Sequence, residues 1–346
     1  VPASRFSPRE LSPGYFAVVM ATGILAIASS QRGWVIPSLI LLVLAGVAYA
    51  VLVVLTLWRL AAHRDAVATD LRDPRTAFQA FTFVAGTGVL ASALAVHGRL
   101  RPAAVLLAVA AVSWLLMGYA LPWAAVLGRA QRPLTAAANG TWFIWVVAAQ
   151  SVAVLASTLE PGAGRAGHAL SILAVFAWSV GLMLYVAVAV MVVLRLMVHP
   201  LEPRELDPPY WVSMGAIAIT IVAGARIVAM ESAPTVDAVR GLAEGLTVVL
   251  WAFATWLIPA LLAVGVWRHW VRRIPLTYTP ALWSMVFPLG MYAAACMTLG
   301  RADQLPLVER IGEAWIWVGL TAWLVTAGAM VVSWVTGSRR RVPGTR

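Results

Sequence analysis

The chain has 346 residues, 62% of them hydrophobic and only 11% charged, with a formal net charge of +11. A soluble domain carries roughly 25% charged residues to face water, so this composition excludes a water-soluble fold and makes lipid the solvent for most of the surface. All 25 basic residues are arginine, and their distribution reads as membrane topology, which argues against nucleic acid as a partner.

Apolar runs long enough to cross a hydrocarbon core of ~30 Å occur ten times, near residues 12–31, 35–58, 77–96, 103–128, 136–158, 167–194, 209–229, 241–267, 280–299 and 314–336. The expected fold class is an all-α integral membrane protein of ten transmembrane helices. The connections are short, which predicts a single transmembrane domain over residues 1–346 with no soluble module. Residues Val1 to Leu11 hold no apolar stretch, and the first run lacks a clear cleavage site. That run therefore reads as a retained helix and not as a signal peptide. With alternate connections on opposite sides, 17 arginines fall with the two tails and the even connections and 8 with the odd connections. The positive-inside bias then puts both termini in the cytoplasm of a cell that carries the protein in its inner or plasma membrane.

The first and third runs share a motif. Phe16-Ala-Val-Val-Met20-Ala-Thr22-Gly23-Ile24-Leu25-Ala26 returns 65 residues later as Phe81-Thr-Phe-Val-Ala85-Gly-Thr87-Gly88-Val89-Leu90-Ala91. The fifth, seventh and ninth runs begin with Trp142, Trp211 and Trp283 in the same phase, so the repeating unit is a helical hairpin present five times. Odd runs carry small residues and proline, among them Gly14, Gly86, Gly215, Gly224, Pro288 and Gly290, whereas even runs are dominated by Leu, Val, Ala and Trp. Small residues permit close helix packing, and distorted backbone is tolerated in a membrane only where it lines protein or water. The pattern predicts five quasi-symmetric hairpins, with odd helices in an inner ring around a pore and even helices outside. A generic bundle in which the glycines only pack helices fits the small-residue rule as well.

Superposing the repeats on their aromatic residue brings Met20, Ala85, Val146, Gly215 and Phe287 to one depth. Phe287 lies roughly 10–12 Å from the start of its helix at 1.5 Å per residue, near mid-membrane. A phenyl ring there can close a narrow pore by sterics and dewetting, and Pro288 loosens the helix beside it. Periodicity alone favours ordinary packing of Phe287 between helices. Thr22, Thr87, Gln150, Ser213 and Thr220 supply polar groups along the expected pathway, with Gly23 and Gly88 exposing backbone. Arg226 lies late in the seventh run, toward the outer face, and Glu244 early in the eighth. Arg226 either raises the positive potential at the outer mouth and attracts anions, or pairs with Glu231 or Glu244, or snorkels. Asp303, Glu309 and Arg310 read as solvated loop residues.

Gly14-Tyr15-Phe16, Met20-Ala-Thr22-Gly23-Ile24-Leu25 and Phe287-Pro288-Leu289-Gly290 after Trp283 resemble the tellurite-resistance and C4-dicarboxylate transporter family. That family includes bacterial TehA, fungal malate and sulfite transporters and the plant slow anion channel. The resemblance implies a homotrimer with a pore in each subunit and a pore phenylalanine in the ninth helix, carried here by Phe287. It implies transport of small inorganic or organic anions, by a channel or channel-like permease. The alternative is a proton-coupled carrier for C4-dicarboxylate, sulfite or tellurite. Family members often have proline kinks in several pore helices; here only the ninth run among the odd ones has an interior proline.

The lone cysteine, Cys296, excludes a disulfide framework and a cysteine metal cluster. The five histidines sit in or beside connections, without i, i+4 pairing, and no hydrolase, phosphate-loop or dinucleotide motif is present. No enzymatic activity, metal or cofactor is expected.

Overall fold

A computed structural model describes residues 8–127, 134–200, 202–231 and 233–339. Within them the chain forms eleven α-helices and no strand. Five are short: α1 (Ala17–Gln31), α4 (Phe81–Val96), α6 (Phe143–Leu159), α8 (Val212–Val228) and α10 (Trp283–Ala302). Five are long: α2 (Val35–Ala62), α5 (Leu100–Leu127), α7 (Gly167–Val198), α9 (Pro234–Val266) and α11 (Pro306–Arg339). These ten elements, with their flanking turns, are each long and apolar enough to span a bilayer. The far end of the expected fourth span, residue 128, lies outside the described residues, as do Arg129, Arg132 and the terminal arginines Arg5, Arg340, Arg341 and Arg346 that entered the topology count.

Each short helix is entered through a 3₁₀ turn, at Pro13–Phe16, Ala77–Ala80, Gly140–Trp142, Pro208–Trp211 and Pro280–Leu282. Three of these turns open on proline, whose fixed φ and missing N–H suit a first helical position. Two are capped by side chains: Ser12 Oγ accepts from the Gly14 N–H, and Asn139 Oδ1 from the Thr141 N–H.

The short helices are buried over 67–89% of their apolar window and the long ones over only 17–28%. The short helices therefore form the core and the long ones face lipid. Each long helix packs on the short helix before it, and the short helices touch in a closed cycle: α1 to α4, α4 to α6, α6 to α8, α8 to α10, and α10 back to α1. Interior prolines also occur in two lipid-facing helices, at Pro122 and Pro259. The remaining helix, α3 (Arg64–Arg72), lies in a stretch that hydropathy reads only as a connection. Its nine residues are too few and too polar for a span, but Val67 and Leu71, four residues apart, share one face. Glu309 is not simply a solvated loop residue: it lies in the first turn of α11 and pairs with Arg301 at 2.7 Å.

Candidate functional site: an axial cavity above Phe287

The five short helices share one cavity. Its inner layer is Ile24, Val89, Ser151, Ile219 and Met291, one residue from each short helix, and its next layer is Ile27, Ser92, Val154, Val222 and Ala294. On every helix the second residue follows the first by three, the spacing that keeps side chains on one face. Gln31, Val96 and Arg226 close the far end. The space open to water centres is about 30 Å³, against the ~10–15 Å³ that one water needs, so the cavity is narrow.

Four residues before the inner layer, on the same helical faces, stand Met20, Ala85, Val147, Gly215 and Phe287. All are buried, and Phe287 has no exposed surface. The cavity thus ends one helical turn beyond the layer that holds the phenyl ring. Pro288, next along α10, abuts α8: a Cβ added to Gly215 would stand 2.8 Å from its Cγ.

Arg226 is the one cation among the cavity residues, and no Asp, Glu or His lines the space. Its Nε is buried without a hydrogen-bond partner, and the guanidinium makes no ion pair among the described residues. The expected pairing with Glu231 or Glu244 does not form. Glu231 sits instead beside Glu160, across a separate polar pocket. Opposite Arg226, Gln31 donates its amide to Thr298 Oγ1 at 2.8 Å and leaves its own Oε1 unpartnered.

Most polar groups assigned to the pathway turn outward. Trp323 of α11 donates to Thr22 Oγ1 at 2.9 Å, and Tyr49 of α2 shares a 2.9 Å hydrogen bond with Thr87. Gln150 donates to the Trp178 carbonyl of α7, whose indole donates to the Thr220 carbonyl of α8. Tyr292 and Cys296 of α10 meet Thr255 and Trp251 of α9. These bonds tie inner helices to outer ones and leave the axial face largely aliphatic.

The sequence comparisons agree with this architecture. A family model described as the voltage-dependent anion channel matches residues 10–331. The chain belongs to this family. Among relatives, an uncharacterized transporter of Methanocaldococcus jannaschii is 24% identical over 325 residues, 92% of each chain. An uncharacterized membrane protein of Mycobacterium tuberculosis is 54% identical over 148 residues, 43% of this chain and 75% of the relative. Membership of the voltage-dependent anion channel family makes this a multi-pass transport protein for small anions.

On α6 the cavity residues differ from those expected to face the pathway. Cavity residues there are Ser151 and Val154, one position later than a repeat anchored on Trp142 requires, and neither Val146 nor Gln150 lines the cavity. One residue is ~100° of helix rotation, enough to turn Gln150 onto α7. Thr22 and Thr87 are likewise bonded to outer helices. Gly23, Gly88 and Gly290 are packing positions: a Cβ on them would meet Val89, Ser151 and Ile24 at 2.9, 2.7 and 2.9 Å. Ile24, Val89, Ile219 and Met291 were missed because hydropathy treats them as core. Their signal was the stripe at 4, 8, 11 and 15 residues after each aromatic anchor, with Phe143 as the anchor of α6.

Proposed function

We propose that the protein is an anion channel or channel-like permease whose path runs along the axis of the five short helices and is closed by Phe287. One observation carries this reading: the cavity formed by all five helices stops one turn short of the Phe287 layer. On this reading the phenyl ring blocks by sterics and by dewetting an aliphatic constriction. Pro288 leaves α10 without one backbone hydrogen bond beside the ring, and Met20, Ala85, Val147 and Gly215 form the rest of the constriction. Arg226 holds the outer end of the path at positive potential. The five-hairpin quasi-symmetry around this axis, a single transmembrane domain, a homotrimer with one path per subunit, and cytoplasmic termini in the cell membrane complete the proposal.

The test is anion flux in proteoliposomes for wild type and Phe287→Ala, with chloride, nitrate, sulfite and malate compared. The expected result is a gain in conductance of about tenfold or more, equivalent to ~1.4 kcal/mol of barrier, with no need of a proton gradient. A folded Phe287→Ala protein that shows no gain, or that loses uptake driven by a proton gradient, would replace the gated channel with the proton-coupled carrier.

A further inference from the structure

A second cavity, of about 420 Å³, lies away from the axis, between α2 and α5 beneath the short helix α3. Its walls are apolar side chains: Val53 and Leu57 from α2, Val67 and Leu71 from α3, Leu116 and Met117 from α5. Its inner wall is the edge-to-face pair Phe16 and Phe83, with ring centroids 5.3 Å apart, at the starts of α1 and α4. Leu57, Leu60 and Leu116 on its outer side are exposed on helices that face lipid, so on that side the cavity faces the bilayer.

Among the described residues, one charged residue lines the cavity, and further arginines stand on and beside α3, which covers it. The lining residue is Arg59, with its guanidinium paired to Asp70 at 2.7 Å and its Nε donating to the Arg9 carbonyl. Arg9 pairs with Asp65, and Asp73 accepts the Arg75 backbone N–H. Arg64, Arg72 and Arg75 remain exposed with no ion pair among the described residues. A helix with one apolar face over the groove and arginines at both its ends matches an element lying in the membrane interface. Interfacial arginines attract anionic headgroups.

We propose that this groove binds an anionic phospholipid, one acyl chain between α2 and α5 and its headgroup at Arg64, Arg72 and Arg75. The ligand class follows from the joint geometry: an apolar slot whose outer side is exposed on lipid-facing helices, roofed by Val67 and Leu71 of a short helix that carries the exposed Arg64 and Arg72 at its two ends. The site is separate from the axial path and does not rest on the gating reading. It touches Phe16 and Phe83, so a bound chain would lie against the two inner helices that carry the duplicated motif.

The test uses the full-length protein in mild detergent, with dioleoyl phosphatidylglycerol or dioleoyl phosphatidylcholine added back and retained lipid read by native mass spectrometry. Wild type should retain phosphatidylglycerol over phosphatidylcholine. Ala120→Phe and Thr56→Phe, which fill the groove from opposite walls, should each lose the retained lipid with thermal unfolding unchanged. Arg64→Gln and Arg72→Gln should each lower the preference by about fivefold, the equivalent of ~1 kcal/mol per interfacial arginine. Equal retention of both lipids in wild type would overturn the proposal, as would undiminished retention in both folded phenylalanine variants. Cross-linking of Leu57 or Leu116 to a second copy would overturn it too, by assigning the groove to a subunit interface.

Discussion

Gly215 of α8 and Pro288 of α10 are in contact so close that no side chain fits between them: a methyl group on Gly215 would lie 2.8 Å from the proline Cγ and 3.1 Å from its Cα. The residue that follows Phe287 is thereby wedged against a bare stretch of backbone. Overpacking of this kind costs about 1–3 kcal/mol. Gly215→Ala should therefore lower the thermal unfolding midpoint in detergent and shift anion flux, because α10 must move at the Phe287 level. Gly241→Ala is the contrast, since a Cβ there meets nothing within 4 Å. Within helix α9 it should stabilise by up to ~1 kcal/mol and leave flux alone.

Arg226 lines the axial cavity with no acidic partner among the described residues. Removing an unpaired, half-buried charge relieves a desolvation cost, so Arg226→Gln should fold at least as stably as wild type. Its effect should appear in selectivity. In the Phe287→Ala background, the reversal potential under a salt gradient should move toward that of a less anion-selective pore. Arg226→Lys should restore most of the preference, and an unchanged reversal potential would remove Arg226 from the pathway.

Trp178 links three helices, accepting from Gln150 through its carbonyl and donating from its indole to the Thr220 carbonyl at 3.2 Å. Trp178→Phe deletes the donor and leaves a smaller ring in a fully buried site. The lost hydrogen bond accounts for about 0.5–1.5 kcal/mol and the void adds to it. A fall in the unfolding midpoint clearly larger than that of Tyr49→Phe, which removes one half-buried hydroxyl partner of Thr87, is the expected outcome.

Asp207 precedes the α8 entry turn, outside the spans, beside Arg268 and near Arg195, Glu205 and Tyr210. Burial pushes its carboxyl from 3.8 up to about 6, against the opposing pull of Arg268. The folded state then holds the proton more tightly than the unfolded chain, so stability falls as pH rises from about 4 to about 6. Asp207→Asn should raise the unfolding midpoint relative to wild type at pH 7.5, with the difference closing as the pH drops toward 4. A difference constant with pH would show that Asp207 does not titrate in that window.

Several features were legible in the chain itself. Ten apolar runs followed from hydropathy and length, and the entry residues of the inner helices from the recurring aromatic and proline positions. The position of Phe287 four residues after Trp283 could be read for the same reason, being a linear distance along a helix, whereas the lack of an acidic partner for Arg226 could not, and the pairing expected with Glu231 or Glu244 does not form. The pairings were not legible. Thr22 finds its donor in Trp323, 301 residues away, and Thr87 finds its partner on a neighbouring outer helix. A threonine in an apolar run has the same local signature whether it faces a pore or an indole.

The facing of α6 shows where the boundary lies. Trp142 and Phe143 are adjacent aromatics, either of which can anchor the repeat, and the choice rotates the helix by ~100°. Only packing against α4, α7 and α8 selects Ser151 for the axis and commits Gln150 to the Trp178 carbonyl. Composition and periodicity by themselves determined that the chain is a membrane-spanning helical bundle and how far along its helix each residue sits. Tertiary structure alone decided which face of each helix meets the axis, because position along a helix is a property of one helix and facing is set by contacts between several.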